Sequence, residues 1–389
     1  MTKFNGVDFY DVDSLLTEEE RMVRDTAREF VENSVIPIIE KRYRDGIFPM
    51  ELVRPLGELG FLGANIEGYG CPSKCNVIYG VINQELERGD SGIRSFVSVQ
   101  SSLVMYPIHT FGSEEMKNHW LPELASGEKI GCYGLTEPDF GSNPGGMRTK
   151  AVKSGDHYIL NGTKMWITNG SIADVAVVWA QTDDGIRGFL VEKGTEGFST
   201  RDIVNKLSLR ASVTSELIFE DCPVPAENML PDAKGLKAAL QCLTQARYGI
   251  AWGAMGAAMS CYHTALNYAL ERKQFDEKPI ASHQMVQGKL VYMLGEITKG
   301  QLLALQLGRL KNKGKATHAH VSLAKRNNVE AALKIARMAR DVLGANGISD
   351  DYPVMRHMCN LESVYTYEGT HDIQTLLVGE KITGIPAYV

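Results

Sequence analysis

The chain has 389 residues, of which 44% are hydrophobic and 23% are charged, and its formal net charge at pH 7 is −6. A chain of this length and composition can bury more than one hydrophobic core and belongs to the globular class. The acidic balance argues against a nucleic-acid-binding protein, because such proteins present a basic surface. No apolar run reaches the roughly 18 residues that a membrane-spanning helix requires, so no membrane span is predicted.

Seven cysteines are scattered along the chain, and only Cys71 and Cys75 lie close together. Without a second Cys or His pair at zinc-site spacing, this pattern predicts free thiols in a reducing compartment and no metal site. Residues 1–13 are acidic and aromatic, unlike a secretory signal or a transit peptide. We therefore expect a cytoplasmic bacterial protein, or a mature mitochondrial matrix protein whose presequence has been removed.

In chain order, the hydrophobic pattern predicts three domains, at 1–130, 131–234 and 235–389. The first is helical and begins with a capping box between Thr17 and Glu20. The second contains short β-branched and aromatic runs between Gly, Asp and Asn turns, which predicts an antiparallel β-domain. The third predicts a four-helix bundle, so the fold class is α+β. The predicted helices of the bundle span about 236–272, 283–311, 317–343 and 371–382.

The loop at 131–142, which leads into the β-domain, is rich in glycine and hydroxyl side chains. It can be a series of turns, or it can present Thr136 and Ser142 to a planar ring. Residues 166–168 end a predicted strand and can do the same. The chain has no G-x-G-x-x-G motif, which argues against a Rossmann domain for a nicotinamide cofactor. Any dinucleotide would therefore bind through a different arrangement.

The segment Tyr367-Glu368-Gly369-Thr370 has two interpretations. As a helix start, Gly369 provides a tight turn and Thr370 is the N-cap, and the local sequence alone favours this interpretation. As a functional site, Glu368 is a carboxylate on a rigid turn beside backbone N–H groups that can bind a phosphate. An apolar cleft would raise the proton affinity of that carboxylate, as a base acting on a weakly acidic C–H requires.

Five motifs occur in the order and spacing of the acyl-CoA dehydrogenase family, which the chain resembles over essentially its whole length. The stretches 85–95, 98–105 and 246–253 are similar to the glutaryl-CoA dehydrogenase subgroup of that family. The chain departs from the subgroup at Ile93, where Tyr is common, and in the loop at 139–144. The five motifs are the loop at 133–142, the segment 166–168, Arg272-x-Gln274-Phe275, the segment 343–347 and the segment 367–370.

The resemblance implies that the protein uses non-covalent FAD to dehydrogenate an acyl-CoA. Glu368 would remove the α-proton of the thioester, while the β-hydrogen leaves as a hydride to FAD. The resemblance also implies that some FAD contacts come from a neighbouring subunit, so we expect a homotetramer that passes electrons to an electron-transfer flavoprotein. The implied FAD contacts are Tyr133, Leu135, Thr136, Gly141, Ser142, Trp166, Ile167, Thr168, Arg272, Gln274, Phe275, Gln284, Gly344, Asn346, Gly347 and Thr370.

Arg94 distinguishes among possible acyl groups. At the blind end of an acyl pocket, an arginine would be a buried unpaired charge unless a substrate carboxylate met it, and glutaryl-CoA carries such a carboxylate. We expect Glu87 to orient Arg94 and moderate its charge; the alternative is a purely structural Arg94–Glu87 pair, seven residues apart on one helix. The remaining implied substrate contacts are Ser95, Ser98, Ser142, Arg247, Tyr367 and Gly369.

Tyr367 bears on the product. Decarboxylating members of the subgroup have Tyr directly before the catalytic glutamate, whereas non-decarboxylating members have Val. The resemblance therefore implies conversion of glutaryl-CoA to crotonyl-CoA and CO2, a reaction of lysine and tryptophan degradation. Four alternatives remain open at this point: a dehydrogenase that stops at glutaconyl-CoA, one for short or branched acyl chains, a flavin oxidase, and a binding protein without activity.

Overall fold

The computed structural model describes residues 3–388, apart from the side chains of residues 73 and 74. Helix α1 (Glu18–Phe30) begins with the predicted capping box. The Thr17 hydroxyl accepts a hydrogen bond from the backbone N–H of Glu20 at 3.2 Å, and the Glu20 carboxylate accepts one from the Thr17 N–H at 2.8 Å. The other elements of the N-terminal part are α2 (Ile36–Asp45), α3 (Val53–Glu58), β1 (Asn65–Gly68), β2 (Cys71–Lys74), α4 (Asn76–Gly89), α5 (Ser91–Ser98), α6 (Tyr106–Phe111) and α7 (Glu114–Ser126).

Helices α4 and α5 place several site residues, and Asp90 sets the angle between them. The extended backbone of Asp90 ends α4, and its carboxylate accepts a hydrogen bond from the N–H of Gly92 at 2.6 Å, which starts α5. The second carboxylate oxygen accepts hydrogen bonds from Arg356 at 2.5 Å and from Asn360 at 2.8 Å. This buried carboxylate therefore fixes α5 against the C-terminal part of the chain.

The middle part is built around one seven-stranded sheet. Its strands are β3 (Gly131–Gly134), β4 (Lys150–Ser154), β5 (His157–Thr168), β6 (Val175–Thr182), β7 (Gly185–Glu192), β8 (Phe198–Asp202) and β9 (Thr214–Pro225). The strand order is β3-β6-β4-β5-β9-β8, and β7 pairs with β6.

Most strand pairs of this sheet are antiparallel, but β6 pairs parallel with β3, from Gly131 beside Val175 to Gly134 beside Val178, and also with the start of β4, at Lys150 beside Gln181. A parallel pair needs a crossover connection, and the chain between β3 and β6 supplies it because it contains β4 and β5. The sheet is therefore mixed at this edge, where the sequence predicts an antiparallel sheet throughout.

The C-terminal part contains the four predicted long helices, and each observed end lies within one residue of its predicted position. A fifth helix, α11, is absent from the sequence prediction. It follows Pro353, and its buried residues Val354, Leu361 and Val364 repeat at helical spacing, so the pattern was present in the sequence but was overlooked. The elements are α8 (Gly235–Glu271), the two-residue strands β10 (Lys273–Gln274) and β11 (Lys278–Pro279), α9 (Gln284–Asn312), α10 (His318–Val342), α11 (Val354–Thr366) and α12 (His371–Thr383).

Helix α8 lies at the centre of the molecule and approaches α4 closely where it carries glycines. A Cβ atom added to Gly256 would lie 1.8 Å from the backbone oxygen of Gln84. One added to Gly253 would lie 2.0 Å from Glu87 Oε2. Only glycine therefore permits this helix contact, which places the carboxylate of Glu87 directly against α8.

Two further properties of the described chain concern membrane-spanning helices and the state of the cysteines. Among residues 3–388, no helix combines the length and the apolar character needed to cross a membrane. Within the same range, which includes all seven cysteines, no disulfide forms. Burial raises the pKa of the Cys132 and Cys261 thiols to about 12, so neither is a reactive nucleophile.

Candidate active site

Glu368 lies on the short turn between α11 and α12 and has left-handed backbone geometry, with φ 53°. For a residue other than glycine, this backbone conformation costs about 1 kcal/mol or more, so contacts with the surrounding structure must stabilise it. Arg247 Nε donates to the backbone oxygen of Glu368 at 2.6 Å, and Gln374 Nε2 donates to the same oxygen at 3.1 Å. Helices α8 and α12 thus both hold the turn.

The two residues after Glu368 complete the turn. Gly369 has φ 86°, and an added Cβ would lie 2.6 Å from Gln374 Nε2 and 2.9 Å from Arg247 Nη2, so glycine is required. The hydroxyl of Thr370 accepts a hydrogen bond from the backbone N–H of Ile373 at 3.3 Å and caps α12. The predicted helix start is therefore confirmed, and it is the same structure that presents the Glu368 carboxylate.

The carboxylate of Glu368 is set up to accept a proton. Its Oε2 atom is buried and has no hydrogen-bond partner among residues 3–388. Burial raises the pKa of this carboxyl, and the positive charges of Lys325, Arg94 and Arg247 oppose that increase. The result is a basic oxygen with an unused lone pair, as proton abstraction from carbon requires.

Arg94 on α5 is fully buried and has two different partners in the described structure. Its Nε donates to Glu87 Oε2 at 2.6 Å, and its Nη2 donates to the hydroxyl of Tyr367. Its Nη1 is buried and has no partner among residues 3–388. Ser95 places its hydroxyl 3.4 Å from that of Tyr367, and Ser98, one turn further along the chain, is also buried.

Glu87 anchors Arg94 from the neighbouring helix α4. Its Oε1 atom accepts a hydrogen bond from the Ser91 hydroxyl at 2.9 Å, and its Oε2 accepts from Arg94. Burial raises the pKa of Glu87, and the charge of Arg94 opposes this effect. The pair therefore fixes one edge of the guanidinium and leaves the Nη1 edge available.

Sequence reasoning missed Lys325, which lies directly behind the turn. Helix α10 buries this side chain to 2% exposure, and its ammonium donates to the backbone oxygens of Tyr367 and Gly369. The residue was detectable in principle, because it shares a helix face with the apolar residues Val321 and Ala332 at four- and seven-residue spacing. Lysine is so rarely buried that this signal alone points to the surface.

A second buried ion pair, between Lys164 and Glu137, holds the loop after β3, and sequence reasoning missed it as well. Lys164 Nζ donates to Glu137 Oε1 at 2.9 Å and to the backbone oxygen of Leu135 at 3.2 Å. Glu137 in turn accepts from the backbone N–H groups of Arg148 at 2.6 Å and Thr149 at 2.9 Å. Both ends of the loop are therefore held, while Gly141 and Ser142 at its tip are exposed.

The end of β5 lies against this loop. The backbone N–H of Met165 donates to the oxygen of Thr136 at 2.8 Å, and the strand register shifts at this point, which gives Trp166 its positive φ of 64°. The indole is 57% exposed, a large apolar face without cover in the single chain. The side chain of Ile167 instead packs in the sheet core, so only its backbone is available to a cofactor.

Two other predicted contacts have restricted roles. The hydroxyl of Tyr133 donates to the backbone oxygen of Ala239 at 2.9 Å, and its ring is buried. Thr168 pairs with Thr214 in the sheet. The hydroxyl of Tyr133 is therefore occupied, whereas the pairing of Thr168 engages its backbone and its half-buried side chain lies two residues from the exposed Trp166.

The remaining predicted cofactor residues form a separate group at the far end of α8. A hydrogen bond from Asn346 Nδ2 to the hydroxyl of Tyr268 holds the segment 344–347 beside the end of that helix. At 1.5 Å per residue, Arg247 and Arg272 are separated by roughly 37 Å along α8. One protomer therefore does not bring this group to Glu368. Its members are Arg272, Gln274, Phe275 and Gln284, which are exposed, with Gly344, Asn346 and the buried Gly347.

Family models match the three parts of the molecule in turn. They are described as the N-terminal domain of acyl-CoA dehydrogenase, over residues 17–128, the middle domain, over residues 132–222, and the C-terminal domain, over residues 233–383. The chain belongs to the acyl-CoA dehydrogenase family. It is therefore an FAD-dependent oxidoreductase that acts on acyl-CoA, and its helical, β and helical parts are the three domains of that family.

Solved structures and curated proteins agree on the family but differ in the acyl group named. A glutaryl-CoA dehydrogenase from Mycobacterium smegmatis is 56% identical, with a TM-score of 0.96, and the match covers 97% of this chain and 98% of that one. A second such structure, in complex with FADH2, is 51% identical, with a TM-score of 0.97 and coverage of 98% and 99%. A short-chain specific acyl-CoA dehydrogenase from Clostridium acetobutylicum is 38% identical over 95% of this chain and 100% of its own length.

The surfaces found at the site suit FAD. The exposed face of Trp166 can cover a planar ring, and a Cβ at Gly141 would meet nothing within 4 Å, so the loop tip is open to a ligand. Thr136 and Ser142 offer hydroxyls on the same loop. The group left for the proton transfer is the Oε2 atom of Glu368, which has no partner among the described residues. When bound, FAD supplies the acceptor for the hydride that leaves the acyl chain.

Proposed function

We propose that the protein oxidises glutaryl-CoA and then decarboxylates the product to crotonyl-CoA, with Glu368 as the base. The observation that supports this proposal is the Nη1 atom of Arg94, which is buried and has no partner among residues 3–388. A buried donor of a charged group that lacks an acceptor costs several kcal/mol. A carboxylate at the end of the acyl chain would supply that acceptor.

The charges near the acyl site favour an additional anion. Arg94, Arg247 and Lys325 contribute three positive charges when all the groups are ionised, and Glu87 and Glu368 contribute two negative charges, which leaves one positive charge. An uncharged acyl group leaves this charge without a counter-ion. A distal carboxylate neutralises it, so the site discriminates in favour of a dicarboxylic acyl-CoA.

In the first step Glu368 takes the α-proton of the thioester, and the β-hydrogen would leave as a hydride for which bound FAD is the acceptor, so that an α,β double bond forms. Backbone N–H donors near the turn are suited to bind the carbonyl oxygen as negative charge develops there. In the second step the C–C bond to the distal carboxylate breaks and CO2 leaves. The electron pair of that bond moves through the new double bond to the thioester oxygen. Protonated Glu368 then returns its proton to the γ-carbon, which gives crotonyl-CoA.

Tyr367 supports the decarboxylating outcome. A bidentate grip by arginine would stabilise the substrate carboxylate and oppose its loss as CO2. The Tyr367 hydroxyl already takes the Nη2 donor of Arg94, and Glu87 takes the Nε donor. Nη1 is the one guanidinium nitrogen that has no partner among residues 3–388, so a carboxylate there meets a single nitrogen and not the Nη1–Nη2 pair that a planar bidentate grip uses.

The relatives support two candidate substrates. The glutaryl-CoA dehydrogenases of Mycobacterium smegmatis favour glutaryl-CoA, and the short-chain specific relative favours an uncharged chain such as butyryl-CoA. The buried Nη1 atom of Arg94 favours the first, because an uncharged short chain gives this atom no acceptor. We also propose an electron-transfer flavoprotein as acceptor and a homotetramer as the working form, in which the residues at the far end of α8 serve the flavin of another subunit.

Anaerobic bleaching of the bound flavin with a panel of acyl-CoAs tests the proposal. Glutaryl-CoA should bleach the flavin faster than butyryl-CoA or isovaleryl-CoA, and chromatography should find crotonyl-CoA and released CO2. Preference for butyryl-CoA would refute the substrate assignment. Glutaconyl-CoA as the sole product would refute the decarboxylation and leave the dehydrogenation standing.

A further inference from the structure

Lys325 has entered the proposed function only through its positive charge, although it is one of the most deeply buried charged side chains in the molecule. Removing an ammonium from water is costly, and an apolar side chain at this position of α10 would stabilise the fold at least as well. The partners of the ammonium are two backbone oxygens, and these flank Glu368 in sequence, one at Tyr367 and one at Gly369. The position of the charge is thus tied to the base.

We propose that Lys325 is a positioning residue that holds the turn around Glu368 and keeps its carboxylate ionised for proton abstraction. The inference rests on the proposed role of Glu368 as the base. Through the Tyr367 oxygen, Lys325 holds the peptide group that precedes the Cα atom of Glu368, where φ is 53°, and through the Gly369 oxygen it holds the end of the turn. Its ammonium also lies 5.8 Å from the centroid of the Tyr367 ring, within the range of a cation–π contact, and so helps to hold that ring in place.

Charged and titratable groups reach Glu368 from four elements besides its own turn. These are Arg94 from α5, Arg247 from α8, Lys325 from α10 and the phenol of Tyr133 from β3. Burial raises the pKa of Glu368, and among the three cations that oppose this, Lys325 has the largest effect. Without the lysine charge, a larger fraction of the carboxyl is protonated near neutral pH and cannot act as a base.

The same interaction acts on the lysine. Burial lowers the pKa of Lys325 to about 7, while the carboxylate of Glu368 raises it and the charges of Arg247 and Arg94 lower it further. His371 on α12 also interacts electrostatically with the lysine. When Glu368 is ionised, its negative charge favours the charged lysine, so the pair is ionised together before the substrate loses its proton.

Three variants separate the two parts of the role. Lys325→Met removes both the charge and the donors, Lys325→Gln keeps amide donors without the charge, and Lys325→Arg keeps the charge. Arg326→Met is the matched control, since it removes a half-buried cation from the adjacent position of α10, where the guanidinium binds Thr375 and not the turn. The measurement is the rate of anaerobic flavin reduction in a single turnover between about pH 5.5 and 9, with any acyl-CoA that bleaches the flavin.

We expect the acidic limb of this pH profile to move to higher pH in Lys325→Met and Lys325→Gln, with a loss of about tenfold at pH 6 that is largely recovered at pH 9. The limb should stay in place in Lys325→Arg and Arg326→Met. The thermal midpoint of Lys325→Met should equal or exceed that of the wild type. Should the methionine variant not fold, the glutamine and arginine variants carry the same comparison.

Two results would overturn the inference: the same fold-loss at every pH in Lys325→Gln, or an unmoved limb in both uncharged variants. Either would mean that the lysine only supports the fold. Glu368→Gln, measured in parallel, tests the base independently. Near-normal flavin reduction in that variant would remove the base assignment itself, whatever the lysine variants show.

Discussion

Replacing Arg94 with methionine tests the substrate assignment, because the structure leaves one of its donors for a ligand. In the wild type, Nη1 would bind the distal carboxylate of glutaryl-CoA in a buried site. Loss of one member of such a buried charged pair costs roughly 2–5 kcal/mol. At 1.4 kcal/mol per factor of ten, kcat/KM for glutaryl-CoA should fall about 30- to 4,000-fold.

Arg94→Met also affects Glu87, because the carboxylate of Glu87 loses its 2.6 Å hydrogen bond from Arg94. A buried carboxyl without this partner has a further raised pKa and takes up a proton. The double variant Glu87→Gln with Arg94→Met removes that complication. It should show the same preference between substrates as the single variant, since the lost contact is with the ligand.

The assay compares kcat/KM for glutaryl-CoA and butyryl-CoA with each variant, with an artificial electron acceptor in place of the natural one. Butyryl-CoA has no distal carboxylate, so its kcat/KM should fall by less than about tenfold. The ratio of the two losses is the quantity of interest, because damage to the fold affects both substrates alike. Equal losses in both the single and the double variant would refute the reasoning and leave Arg94 as a structural residue.

Three further substitutions test the site. Glu368→Gln should fold normally and bind acyl-CoA, but reduce its flavin several orders of magnitude more slowly; a smaller loss than tenfold in stopped-flow traces would place the base elsewhere. Gly253→Ala puts a Cβ at 2.0 Å from Glu87 Oε2 and should thereby displace Arg94. We expect kcat/KM to fall more for glutaryl-CoA than for butyryl-CoA. An unchanged ratio of the two kcat/KM values would argue against the link between Glu87 and substrate choice. Tyr367→Val should release some glutaconyl-CoA, and product chromatography showing crotonyl-CoA alone would contradict the role given to its hydroxyl.

The helices of the C-terminal part were predictable from sequence because each is a long run without proline, bounded by recognisable ends. Helix α11 has the same length as the predicted α12 and was missed although Val354, Leu361 and Val364 repeat at helical spacing. The parallel pairing of β3 with β6 was beyond local reasoning. It joins segments some 40 residues apart, and a strand pattern carries no information about which distant strand lies beside it.

The candidate site likewise has features that the local sequence predicts and features that depend on the tertiary structure. The turn at Glu368 could be predicted as a helix start from Gly369 and Thr370, but its chemical role came from the family resemblance. Trp166 was predicted as a contact residue, whereas its left-handed backbone depends on a register shift that only the strand pairing reveals. Lys325 was missed because a lysine in a helix is normally solvated, and its burial follows from the packing of α10 against α8 and α12.

The arrangement of cations around Glu368 meets two opposing needs of a base that acts on carbon. The carboxylate must be ionised before the reaction, which calls for positive charge nearby, and it must keep a lone pair free, which excludes a direct salt bridge. Arg247 and Lys325 bind backbone oxygens of the turn instead of the carboxylate. Their charges therefore stabilise the ionised form, while Oε2 has no partner in the part of the chain that the structure describes. A cation bonded directly to that oxygen would have ionised the base and blocked it at the same time.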